Sequence, residues 1–264
     1  MLSKTTRRAS ACFLLACAML AVPQAAMAQN PAAEADAGQG GQITIGGGVL
    51  LTESPFNGEG TLANPIPIIS AQFGPAYIDG LEAGLTFEPL AGPVSPFASA
   101  FVAARMTPAR DRQDLTADAG VRVGVRGVIG ELSGEVRRDI TGEFKGTEYQ
   151  VRYAYPINLG DLTIIPSAQV NWLDKETANH MYGVTAEQRA KAISKGREVI
   201  LPVAAITEKA MNLGGGLTAT YALGGGLTLI GVLNGTYLDK AIYKSPAIDQ
   251  KWESTAVIGL TYSF

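Results

Sequence analysis

From residue 42 to its last residue the chain alternates. The final stretch, STAVIGLTYSF (254–264), sets Phe264, Tyr262, Leu260, Ile258 and Ala256 on one side and Ser263, Thr261, Gly259, Val257 and Thr255 on the other. Side chains two residues apart share a face of a β-strand, so this is a strand with one apolar face and one small or polar face. The period returns in QITIGGGVLL (Ile43, Ile45, Val49, Leu51), in AYIDGLEAGLTF (Tyr77, Leu81, Ala83, Leu85, Phe87) and in ADAGVRVGVRGVI, where Val121, Val123 and Val125 oppose Arg122 and Arg126. It continues through ELSGEVRRDIT, TEYQVRYAYPI, LTIIPSAQVNW, MNLGGGLTATYAL and GLTLIGVLNGTYL. Joints such as NLGD (158–161) and GGG (224–226) supply hairpin-turn residues, and the whole reads as an antiparallel meander.

A meander with one apolar face can bury it in two ways. A soluble sandwich or lipocalin-like barrel turns that face inward, whereas a membrane barrel turns it out to lipid. Three features favour the second. The polar faces carry both signs, with Arg122, Arg126, Glu135, Arg137, Glu148 and Arg152 as candidate lumen-lining residues; an arginine facing mid-bilayer hydrocarbon would cost about 2–4 kcal/mol. Tyrosine and tryptophan recur at strand ends, where interfacial girdles sit, and joints alternate between very short and long. The terminal strand also lacks the charge or proline that blunts a free edge, which is explained if it closes onto the first strand. The expected fold is therefore all-β, an antiparallel transmembrane β-barrel. Arg138 falls on the apolar side, so it is expected near an interface, where a long cation reaches polar groups. Tyr262 and Phe264, aromatics on the closing strand, resemble the terminal signal read by outer-membrane insertion machinery.

Loop parity favours ten strands, near 42–52, 76–88, 95–106, 117–129, 131–141, 147–158, 161–173, 210–223, 226–239 and 254–264. The segment PIPIISAQF (65–73) also looks like strand, and pairing it raises the count toward twelve. With periplasmic termini, the long joints 107–116, 174–209 and 240–253 lie outside the cell. In the longest of them Thr185 and Gln188 match a capping box and Gly196 suits a helix end, which predicts a short helix over 186–195.

The N-terminus reads as an address. Lys4, Arg7 and Arg8 precede the apolar run ACFLLACAMLAV and the small residues Ala26 and Ala28, so residues 1–28 are expected to be a signal peptide and 29–41 a polar, flexible leader before a barrel over 42–264. Cleavage before Cys17, as in a lipoprotein, is the alternative. Cys12 and Cys17 are the only cysteines, so an exported chain cut after Ala28 has no disulfide, thiol catalyst or Cys-ligated metal. Taking three basic residues from 21 leaves 18 against 24 acidic ones, a net charge of about −6 that disfavours nucleic acid. His180 is the single histidine, no nucleophile motif accompanies it, and the GGG runs lack the Lys-Ser/Thr of a phosphate loop. No catalytic, cofactor-binding or metal-binding residue is expected.

MYGVTAEQRAKA (181–192), YLDKAIYKSPAI (237–248) and the ending IGLTYSF, together with GGGVLLTESPFNGEGTLANPIPIISAQF (46–73), resemble the MipA/OmpV outer-membrane family over nearly the whole chain after the leader. Ser245–Pro246 and Tyr182–Val184 are the most specific pieces of that likeness. The resemblance implies a non-enzymatic barrel surrounded by outer-membrane lipid. One member of that family is a scaffold joining a lytic transglycosylase to a penicillin-binding protein in murein synthesis, and others are surface antigens or adhesion factors. Two functions stay open: a scaffold or surface-contact barrel, and a narrow pore for small solutes.

Overall fold

A computed structural model of the chain describes residues 41–90, 92–105 and 115–264. The expected signal peptide, all but the last residue of the expected leader, and most of the 107–116 joint lie outside the described residues. The strands are β1 (Gln42–Glu53), β2 (Thr61–Phe73), β3 (Ala76–Asp79), β4 (Glu82–Phe87), β5 (Val94–Arg105), β6 (Thr116–Gly127), β7 (Gly130–Asp139), β8 (Thr147–Ala154), β9 (Ile157–Leu159), β10 (Leu162–Leu173), β11 (Ala210–Gly224), β12 (Leu227–Tyr237) and β13 (Trp252–Ser263). Each pairs antiparallel with its neighbours, β13 pairs back onto β1, and β10 joins β11, so the sheet closes on itself. Strands β8 and β9 lie end to end against β10, which makes a ring of twelve staves. Followed round the ring, the register climbs by roughly 16 residues, which for twelve strands sets a tilt of about 45°.

Twelve strands replace the ten expected, for two reasons. The segment 61–73 is a full strand paired with β1 along its length. The stretch 76–88 is not one strand but the hairpin β3–β4, broken at Gly80, whose φ of 57° suits a residue without Cβ. The turn also overturns the facing read from alternation across it: Tyr77 points inward and is 3% exposed, while Leu85 and Phe87 point out. Simple alternation cannot see a turn that preserves the period.

Elsewhere the apolar faces turn outward. Ile43, Ile45, Val49 and Leu51 of β1, Val121, Val123 and Val125 of β6, and Ile258 and Leu260 of β13 are all exposed, while their neighbours Thr44, Leu50, Val257 and Thr261 are buried inside. Water is a poor solvent for such a band and hydrocarbon a good one. Tyr149, Trp172, Tyr237 and Trp252 ring one end; Phe73, Phe87, Tyr221, Tyr262 and Phe264 ring the other.

The two rims differ. Both described ends of the chain and the tight turns at 74–75, 128–129, 160–161 and 225–226 share one rim, where the Phe264 amide donates to the Ile43 carbonyl at 2.9 Å. The other rim carries the long connections, with α1 (Lys175–Tyr182), α2 (Ala186–Ser194) and α3 (Lys240–Tyr243). Asp174, Thr185 and Asp239 cap these helices, and Thr185 with Gln188 forms the reciprocal capping box. Short turns beside the termini mark the periplasmic rim of such barrels, and long loops the outer one.

Candidate functional site

The barrel interior is divided. On one side, inward residues of β1, β2, β12 and β13 pack into an apolar cluster of Leu50, Ile66, Ile230, Val232 and Val257, with Ile68 against it. On the other, β4 to β8 carry charge. There β5 sends Phe97 and Phe101 inward, each flat over the glycine opposite it on β6: a Cβ at Gly120 would lie 2.4 Å from the Phe101 ring and one at Gly124 2.7 Å from Phe97. The ring faces then seat cations. Arg126 lies 4.5 Å from the Phe97 centroid, and Arg122 and Arg137 lie 4.9 and 5.4 Å from that of Phe101.

Carboxylates close each layer. Arg122 donates from both terminal nitrogens to Glu82 at 3.1 Å and from Nε to Glu135 at 2.7 Å, while the Tyr77 hydroxyl donates to Glu82 at 2.6 Å. Arg137 shares Glu135, through Nε at 2.6 Å. Arg126 reaches Glu131 at 3.2 Å and also pairs with Glu88. Uppermost, Arg105 donates to Asp118 at 2.6 Å and Glu148 at 2.7 Å, and its Nη1 lies 3.4 Å from the Met181 sulfur of α1. Arg152 stands between Ser133 and Gln169 in register, in the field of Glu131 and Glu135. Arg138 is exposed, one residue from the end of β7 at the loop rim.

A second assembly sits at the loop rim. Phe56, Leu173, Ala178, Tyr182, Val184, Leu201, Ala204, Ile206, Leu238, Ile242, Ala247 and Ile248 form one buried apolar core from three separate connections and the strand ends beneath them. Phe56 bridges Ile248, Val184 bridges Ala204, and the Tyr182 hydroxyl donates to Glu253 at 2.9 Å. Burial, and then the Glu253 carboxylate, pushes the Tyr182 hydroxyl well above its ordinary range, so it stays a donor. His180 stacks on Phe144 at 4.2 Å within the same region. Among the described residues no group of three His, Cys, Asp or Glu side chains could hold a metal ion. Each lumen carboxylate in these pairs accepts from a guanidinium or hydroxyl, and such mutually bonded side chains stiffen the wall.

Of the residues singled out by sequence, Arg122, Arg126, Glu135, Arg137 and Glu148 come together in this ladder, while Tyr262 and Phe264 sit side by side at the turn rim, ring centroids 4.8 Å apart. Sequence reasoning missed Arg105, Asp118, Glu82, Glu88, Glu131, Phe97 and Phe101. Glu82 and Tyr77 lay in a stretch read as one strand, and the inward phenylalanines lie in VSPFASAFVAAR, where both faces are apolar and alternation carries no direction.

Comparison with known proteins places these features in a lineage. The family model described as "MltA-interacting protein MipA" matches residues 45–264. The MltA-interacting protein of Escherichia coli K12 is 24% identical over 234 residues, covering 85% of this chain and 91% of that protein. YiaT of Escherichia coli O157:H7, named as an outer membrane protein, is 22% identical over 235 residues, with 84% and 91% covered. A solved outer membrane channel from Pseudomonas putida F1 aligns over 85% of this chain and 94% of its own, with 9% identity and a TM-score of 0.42, a likeness too weak to take the reading further.

Proposed function

Because this chain belongs to the MltA-interacting protein (MipA) family of outer-membrane barrels, we propose that it is a scaffold that works through its rims rather than a conduit. The observation that carries this reading is the buried apolar core built from the loop-rim connections, above an interior that holds an apolar cluster on one side and ion pairs on the other. In this reading Arg122, Arg126, Glu135, Arg137, Glu148 and Arg152 are structural lumen residues, and Tyr262 and Phe264 address the chain to the insertion machinery. The turn rim faces the periplasm, and there the barrel holds a murein-processing enzyme, a lytic transglycosylase of the kind that gives the family its name, with a penicillin-binding protein as the further member of the assembly. No step in this role requires chemistry by the barrel itself.

Two measurements test it. Crosslinking in intact envelopes followed by purification of the barrel is expected to recover a lytic transglycosylase. Purified protein in planar bilayers is expected to show no steady single-channel conductance. Stable conductance with no murein enzyme recovered would refute the scaffold and leave the narrow pore.

A further inference from the structure

One part of the wall is built to half height. Strands β3 and β4 hold four and six residues, whereas their neighbours β2 and β5 hold 13 and 12. The tip of this hairpin is fixed by two bonds: the Gly80 amide donates to the Ile69 carbonyl at 2.8 Å, and the Ala104 amide donates to the Leu81 carbonyl at 2.9 Å. Beyond that tip, Thr61–Ile68 of β2 run on toward the loop rim, paired with β1 on one side and, among the described residues, with nothing on the other.

The sequence of that edge is specific to its position. Backbone groups of a strand point alternately to its two neighbours, and Ile69 points to the hairpin, so Thr61, Ala63, Pro65 and Pro67 point to the unpaired side. Two of those four have no N–H. Proline within a sheet is confined to edges and bulges, and it keeps an exposed edge from accepting another strand. The inward face of β2 meanwhile stays anchored without the hairpin, since Ile66 and Ile68 pack on Leu50, Val257 and Ile230. The carbonyls of Thr61, Ala63, Pro65 and Pro67 lie in the plane of the wall and point into the gap above the hairpin, on the loop-rim side of the barrel, and bare carbonyls there are too costly to leave to hydrocarbon.

We infer that the barrel has a lateral, hydrated notch between β2 and β5, above the β3–β4 hairpin, through which a single-chain amphiphile of the outer leaflet inserts its polar head while its acyl chain stays in lipid. Directly inside lie Glu82, Arg122 and the Tyr77 hydroxyl, polar groups suited to meet such a head. The notch gives the interior a sideways access, separate from the loop rim where the apolar core sits. It stands whether or not the barrel holds a murein enzyme.

Single-cysteine variants at Pro65 and Val49 test the opening, because the two residues face each other across β1 and β2 and both point outward. Cys12 and Cys17 both precede the described wall, and the unsubstituted protein reports their background. In liposomes, a charged, membrane-impermeant maleimide is expected to label Pro65→Cys at least about tenfold faster than Val49→Cys, since only the former borders water. A lysophosphatidylcholine carrying a diazirine beside its headgroup is expected to crosslink to the inward residues Ile66 and Ile68 of the unsubstituted protein. The double variant Pro65→Thr/Pro67→Thr, which restores two donors to the edge, is expected to self-associate. Equal labelling rates would overturn the notch, and adducts confined to outward residues would overturn the amphiphile route.

Discussion

Replacing Arg122 with methionine removes the cation from between two carboxylates while keeping much of the stem that lies on Phe101. In the folded barrel Arg122 serves Glu82 and Glu135, whose side chains are 12% and 3% exposed, against 19% for Arg122 itself. Removing one partner of a buried pair costs about 3–5 kcal/mol, because the other charge is left desolvated. Arg137 still compensates Glu135, and the residual exposure screens part of the loss, so about 2–4 kcal/mol is expected. Arg126→Met removes a cation from more exposed partners and should cost about 0–1 kcal/mol. Reversible urea unfolding from lipid vesicles, followed by tryptophan fluorescence, reads both. With a slope of about 2 kcal/mol per molar, the midpoint should fall by about 1–2 M for Arg122→Met and by less than about 0.5 M for Arg126→Met. Equal shifts in the two variants would refute the reasoning, since they would mean that burial does not set the worth of these pairs.

Further outcomes follow from other parts of the wall. Deleting Phe264 should lower outer-membrane abundance and heat-modifiable protein far more than Ser263→Ala, whose loss is one hydrogen bond to Thr44, and equal insertion of the two would remove the terminal aromatic as an address. Gly120→Ala should destabilise by about 1–3 kcal/mol in the same urea assay, because the new methyl meets both the Phe101 ring and, at 2.8 Å, the Val136 carbonyl oxygen; Gly134→Ala, with nothing within 4 Å, is its control. Thr185→Ala loses the hydroxyl that accepts from the Gln188 amide, while the Gln188 side chain still accepts from the backbone amide of residue 185, and should cost about 1 kcal/mol, read as faster proteolysis of the loop-rim core with an unchanged barrel.

What the linear chain determined is what depends on near neighbours. Period two in STAVIGLTYSF decides that Ile258 and Leu260 share a face and Val257 and Thr261 the other, and the mixed charges opposite Val121 and Val123 decide which face cannot meet lipid. Thr185 and Gln188 likewise announce a helix, because a cap is a contact three residues long. Ring closure decided the rest. Whether 76–88 is one strand or a hairpin leaves the period unchanged, and only the pairing of Gly80 with Ile69 and of Leu81 with Ala104 tells them apart. The direction of Phe97 and Phe101 in a strand apolar on both faces depends on glycines opposite them on β6, and the partners of Arg105 come from β6, β8 and α1. Those contacts join residues far apart in sequence. Strand number, the charged ladder and the half-height wall therefore exist only once all twelve staves find a common register, a condition that no local stretch of sequence contains.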